Sequence, residues 1–240
     1  MFTPSRTLPA SHPLIPFEQS HHRRFSSVSS PQPIICPECE KEISDAKYSF
    51  FCDECLSILP VDRSKNYFQV LNTSATYDVD ARAITIFKRH LMKQLHPDKF
   101  AGADSEVLSM AEDQSALLNE AASVLTNPYR RGVYLLSING AEIEEGTNPD
   151  LGNDFLMELM ELNEEVDSAR EAAEVEKLMK KVERVVGSME RELSEAFSGG
   201  CFAASSTYTA VDLSEAKLIL EKMKFFINFQ EKLRDKLTGL

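Results

Sequence analysis

The chain has 240 residues, 42% of them hydrophobic and 27% charged, which is enough apolar material for a real core in a soluble protein. No apolar run approaches the ~20 residues needed to cross a bilayer, so membrane insertion is not expected. The formal net charge of −12 argues against a general nucleic-acid binder.

Residues 1–35 differ from the rest. They are rich in Ser, Pro and His, carry Arg6, Arg23 and Arg24, and hold one acid, Glu18. The composition fits an organellar transit peptide, and Arg23-Arg24-Phe25-Ser26 is similar to a matrix-protease cleavage site. The competing reading is an ordinary disordered tail. The boundaries expected on this basis are 1–30 for the presequence and 31–62 for the segment that follows it.

That segment holds Cys36-Pro37-Glu38-Cys39 and Cys52-Asp53-Glu54-Cys55, with twelve residues between the pairs. Each CxxC turn brings two sulfurs to one side, so Cys36, Cys39, Cys52 and Cys55 can surround one tetrahedral Zn²⁺. All four positions are thiolates, leaving no open coordination site, which points to one structural zinc per chain. A segment this short cannot build its own core, and the metal should supply most of its folding energy. Removing the metal should unfold this segment and spare the helices beyond it. Cys201 stands alone.

From residue 66 the pattern is helical. Asn66 to Leu71 begins a first short helix. In residues 80–95, Ile84, Phe87, Leu91 and Leu95 fall on one face, and Arg82, Arg89 and Lys93 on the other. On charge alone that second face reads equally as a docking surface and as a solvated helix side. The helix must stop near His96, because Pro97 disfavours helical geometry in the residue before it. A third helix runs from about Asp104 to Leu125, with Val107, Ala111, Leu118, Ala121 and Leu125 as its stripe. Asn127-Pro128 caps a fourth, which Asn139-Gly140 ends. Residues 141–149 read as an acidic linker. Three longer helices follow near 151–168, 171–197 and 213–237. The last should open at Asp212-Leu213-Ser214-Glu215 in a capping-box manner. Their amphipathic spacing predicts an antiparallel bundle over 150–240. The fold class is therefore all-α, with a helical hairpin and a three-helix bundle preceded by a small zinc-stapled segment.

No phosphate loop, nucleophile elbow or HExxH is present. His96 and Asp98 could form a catalytic dyad, but no Ser or Cys is placed by spacing to serve it. Shape gives the better account. A hairpin of two helices would expose His96, Pro97 and Asp98 at its tip, with Pro97 stiffening it and Asp98 able to accept an Arg bidentately. The helix at 151–168 carries Phe155, Leu156, Met157, Leu159, Met160 and Leu162, and the last helix adds Phe225, Phe226 and Phe229. These are more apolar residues than one core stripe needs. Such a helix is either deeply buried or presents a partner surface.

Helix, His96-Pro97-Asp98 loop, helix resembles the J-domain, and Tyr67-Phe68-Gln69-Val70-Leu71 matches its opening. His96-Pro97-Asp98-Lys99-Phe100, Asn119-Glu120-Ala121, Tyr134-Leu135-Leu136-Ser137 and Phe155-Leu156-Met157-Glu158 are similar to the HscB (Jac-type) subfamily. The paired CxxC hooks resemble its eukaryotic members. One departure is Lys88, eight residues before His96, where J-domains usually have an aromatic; here Phe87 lies beside it. The resemblance covers about residues 36–237, with the J-domain at 63–140. It implies a non-enzymatic cochaperone of iron–sulfur cluster assembly in the mitochondrial matrix, with a cytosolic pool left open. Its partners would be a DnaK-type heat-shock chaperone, whose ATPase it stimulates, and the iron–sulfur scaffold protein. The resemblance assigns His96, Pro97, Asp98, Arg82, Arg89 and Lys93 to the chaperone. It assigns Leu156, Met157, Met160, Glu161, Glu164, Lys224 and Phe225 to the scaffold. Competing classes are a zinc-dependent interaction module acting without a chaperone and a hydrolase built on His96 and Asp98.

Overall fold

The computed structural model describes residues 34–43, 48–143, 151–198 and 210–239. The expected presequence, most of the acidic linker, the Gly199-Gly200 loop and Cys201 lie outside them.

The first described stretch is a compact module with a two-residue antiparallel ladder, β1 (Ile34–Ile35) against β2 (Glu42–Ile43), in which Ile34 faces Ile43. A second, single bridge joins Phe51 to Ile58. Each arch carries one CxxC turn. These strands were not legible as period-2 runs because neither exceeds two residues.

The helices follow in chain order. In α1 (Tyr67–Val70), the Asn66 side chain accepts from the Gln69 amide while the Gln69 side chain accepts from the Asn66 amide, a reciprocal capping box. Asp80 caps α2 (Ala81–Leu95) by accepting from the Ala83 amide. Ile84, Leu91 and Leu95 are buried as expected, and Phe87 is half-buried. Then comes a single 3-10 turn, Pro97–Phe100. Asp104 stands at the N-cap of α3 (Ser105–Thr126) without a side-chain capping bond. Asn127 caps α4 (Pro128–Ile138), with Pro128 in its first turn. Gly140 then takes a φ of +78°, which only glycine adopts without strain.

The bundle consists of α5 (Asn153–Ser168), α6 (Ala172–Ser198) and α7 (Ala210–Gly239). Helix α7 starts two residues before the expected Asp212 cap. Ala210 and Val211 are no helix breakers, and the helix runs through them. The C-terminal carbonyls of α5 would be orphaned, but the Lys236 ammonium of α7 donates to those of Val166, Asp167 and Ala169. At the start of α6 the Glu174 carboxylate accepts from the amides of Arg170 and Glu171. Among the described residues no helix is long and apolar enough to cross a membrane.

The hairpin and the bundle share one apolar interior. Gly132 of α4 lies against α7 so closely that a Cβ there would sit 2.8 Å from a Leu220 methyl. The loop before α2 also docks on the bundle. Tyr77 stacks on Phe197 at 5.3 Å between centroids, and the Ser194 hydroxyl donates to Asp78 at 2.6 Å. Arg131, buried, lays its guanidinium 4.7 Å over the Tyr77 ring and donates to the Leu125 carbonyl. Burial is what depresses the Arg131 pKa.

Candidate functional sites and the family of the chain

The two CxxC turns have the same backbone plan. In the first, the Cys36 amide donates to the Lys41 carbonyl and the Glu40 amide to the Cys36 carbonyl. In the second, Cys52 donates to Ser57 and Leu56 to Cys52 in the same way. Residues Glu40 and Leu56 close the turns at φ of 58° and 60°. The result is two facing hooks whose four sulfurs lie within 4.8 Å of one another. Cys36 Sγ is 3.5 Å from Cys55 Sγ, and Cys39 Sγ is 3.6 Å from Cys52 Sγ. Those separations are far beyond the ~2.05 Å of a disulfide. They match the ~3.8 Å between sulfurs set tetrahedrally at ~2.3 Å around zinc.

The electrostatics at Cys36 and Cys39 point the same way. The Ser57 hydroxyl, 3.1 Å from Cys36 Sγ, holds that thiol down at about 6 against burial, which pushes it up. At Cys39 the Lys41 amide pulls down, but burial and the three other sulfurs outweigh it and push the thiol up to about 12. Four sulfurs this close cannot all ionise without a cation among them. The donor set therefore fits a metal ion. Ser57, which also approaches Cys55 Sγ at 3.0 Å, had no signal in the cysteine spacing. Lys41 and Glu54 join the two hooks by an exposed ion pair at 2.5 Å.

The second candidate site is the end of α2. His96 closes the helix, and Pro97 opens the 3-10 turn. His96 Nδ1 lies 3.3 Å from the Asp98 amide, which donates to it. The Asp98 side chain is 90% exposed, with Oδ2 3.4 Å from His96 Nδ1. The half-buried Phe100 anchors the other end of the turn in the core. Arg82, Arg89 and Lys93 are exposed on α2, while Lys88 is half-buried. No Ser or Cys side chain is bonded to His96 or Asp98 among the described residues.

The third is the outer side of the bundle. Helix α5 buries Leu159, Leu162 and Val166, which resolves its surplus of apolar residues into one core stripe and one outward set. Met157 and Met160 are 60% and 66% exposed, and Glu161 and Glu164 flank them in the open. Leu156 and Phe225 are half-buried, and Lys224 is exposed. Phe155 meets Phe225 edge-on at 6.1 Å and Phe226 at 6.0 Å, which sets α5 against α7.

A helical hairpin tipped by a His-Pro-Asp turn, with His96 and Asp98 exposed, and fused to a three-helix bundle defines a J-type co-chaperone architecture. Known proteins agree. A family model described as the HSCB C-terminal oligomerisation domain matches residues 152–234. The human iron-sulfur cluster co-chaperone protein HscB is 33% identical over 185 residues, covering 77% of this chain and 74% of its own length. A co-chaperone protein HscB homolog of Vibrio cholerae is 32% identical over 174 residues, covering 72% of this chain and 99% of its own. The crystal structure of human co-chaperone protein HscB superposes with a TM-score of 0.76 at 29% identity, covering 86% of this chain and all of that one. The Jac1 co-chaperone from Saccharomyces cerevisiae, at 16% identity and a TM-score of 0.51, shares the fold. The chain belongs to the HscB family of iron–sulfur cluster co-chaperones, in the form that carries an N-terminal four-cysteine cluster. These relatives are named as co-chaperones rather than as enzymes.

Proposed function

We propose that this protein stimulates the ATPase of a DnaK-type chaperone through His96, Pro97 and Asp98, and delivers the iron–sulfur scaffold protein to it. The observation that carries the reading is the His-Pro-Asp turn, with His96 and Asp98 exposed, at the end of a helix whose open face holds Arg82, Arg89 and Lys93. The freely exposed Asp98 carboxylate suits a bidentate pair with an Arg of the partner. The basic face steers an acidic partner toward it. On the bundle, Met157 and Met160 are exposed, adaptable apolar anchors, with Leu156 and Phe225 beside the core. Glu161, Glu164 and Lys224 form the polar rim that fixes the register of the scaffold. Cys36, Cys39, Cys52 and Cys55 would hold one Zn²⁺, which supplies cross-linking and no reaction. The acid-poor, Arg-containing first 25 residues support a mitochondrial matrix address.

The test is single-turnover ATP hydrolysis by a DnaK-type chaperone with this protein and the scaffold. His96→Gln and Asp98→Asn should abolish stimulation with the circular dichroism unchanged. Met157→Ala with Met160→Ala should weaken scaffold binding about tenfold or more and keep basal stimulation. Full stimulation by the His96→Gln protein would overturn the role of the turn, and no stimulation by the wild-type protein would favour a module that binds proteins without a chaperone.

A further inference from the structure

Two consecutive polar residues of α3, Gln114 and Ser115, are buried. Together they link the cysteine module to the His-Pro-Asp turn. The Gln114 carbonyl oxygen accepts from the Tyr48 hydroxyl at 2.7 Å. Its amide nitrogen donates to the Leu59 carbonyl at 2.8 Å and to that of Pro60 at 3.3 Å. One amide thus grips both ends of the second arch, since the Leu59 amide itself donates to the Phe50 carbonyl on the arm that leads to Cys52. Ser115, one step around α3, donates at 2.9 Å to the carbonyl of Leu95. Leu95 ends α2, where carbonyls lack helical donors, and His96 is the next residue.

The apolar groups follow the same route. Tyr48, Phe50 and Ile58 of the module belong to the apolar interior that also contains Leu95, Ala111 and Leu118. A Leu at position 114 and an Ala at 115 would take these partners from the Tyr48 hydroxyl and from the Leu59 and Leu95 carbonyls. The polar pair adds direction, because each bond is satisfied in one arrangement of module, α3 and α2 only.

We propose that the metal-clipped module is a brace for the His-Pro-Asp turn, with Gln114 and Ser115 as its positioning residues. Metal binding orders the arch that holds Gln114, Gln114 fixes the face of α3, and Ser115 fixes the last turn of α2. By linkage, whatever stabilises the turn also tightens the metal. The inference rests on the four-thiolate reading of the metal site and is independent of which chaperone the turn meets.

Hydrogen exchange on the full chain tests it, with zinc-loaded and chelator-stripped protein compared. Stripping should accelerate exchange of the amides of residues 92–100 by about tenfold or more, beyond the loss of protection within the module, so the end of α2 is not spared as the cysteine spacing alone suggests. Ser115→Ala should loosen the same amides while elemental analysis still finds one zinc. Gln114→Met, similar in volume, should keep the zinc but make the turn indifferent to stripping. Faster exchange confined to residues 34–62 on stripping would overturn the brace, as would a Ser115→Ala turn as protected as the wild type. Protein that binds no metal when purified without chelator would overturn the metal reading itself, a failure visible before any exchange is measured.

Discussion

The cysteine module and the C-terminal bundle are both ordered, yet their interiors have little in common. Around its sulfurs the module buries, among the described residues, only Cys36, Cys52 and Leu59, with Ile43 against them, while its Tyr48, Phe50 and Ile58 lean on the interior of the helices. The bundle buries Val175, Val182, Leu193, Leu220, Met223, Phe226 and Leu233 along helices of up to 30 residues. A ligand set placed by four positions thus does for the first what a long periodic stripe does for the second. The difference sets how each should fail: the module all at once when one ligand is lost, the bundle by increments.

The largest effect should come from Cys52→Ser. Structural zinc binding in isolated fingers is worth ~10 kcal/mol or more, so this variant should lose its metal and the chemical-shift dispersion of residues 34–62 together. A Cys52→Ser protein that kept both would erase the contrast. Next comes Leu193→Ala in the bundle, which empties a wholly buried position. It should lower the unfolding free energy by ~2–5 kcal/mol in denaturant titrations and leave the metal content unchanged. The smallest effect sharpens the comparison. Leu56 holds a left-handed φ of 60° while 75% exposed, so its side chain contributes little packing and its backbone is strained. Leu56→Gly should strengthen the hook by up to ~1 kcal/mol, read as slower zinc loss to a chelator.

What the sequence made legible follows the same division. CxxC spacing named all four sulfurs, because metal geometry demands residue type at fixed intervals. Helical periodicity found α2 through α6 to within a few residues. The polar joints were harder to see. The α3 stripe read as Ala111 then Leu118, a gap of seven where a helix should place another apolar residue. Gln114 and Ser115 fill that gap, buried because their partners, Tyr48 and Leu95, are far away in sequence. The gap was the available signal, but a polar residue inside a stripe is ambiguous until its partner is known. Arg131 escaped notice similarly, since only the fold brings Tyr77 beneath it. The early start of α7 shows the opposite limit: a capping pattern does not fix where a helix begins when neither residue before it breaks one.

The close approach of Gly132 to Leu220, with Tyr77 stacked on Phe197, has a consequence for how two bound proteins would meet. Helix α4 follows the hairpin directly, and α7 carries the bundle's Phe225, so their packing spans both halves of the molecule. Two binding surfaces joined by a flexible tether sample many separations, and their effective concentration falls as the tether lengthens. Joined by packed helices, they keep a single separation, and the entropy of bringing two cargoes together is spent when the chain folds instead of at each encounter. On the proposed reading the packed helices would work as a gauge of fixed length, holding one partner at a set distance from the other, and a cargo of the wrong size would gain no avidity from it.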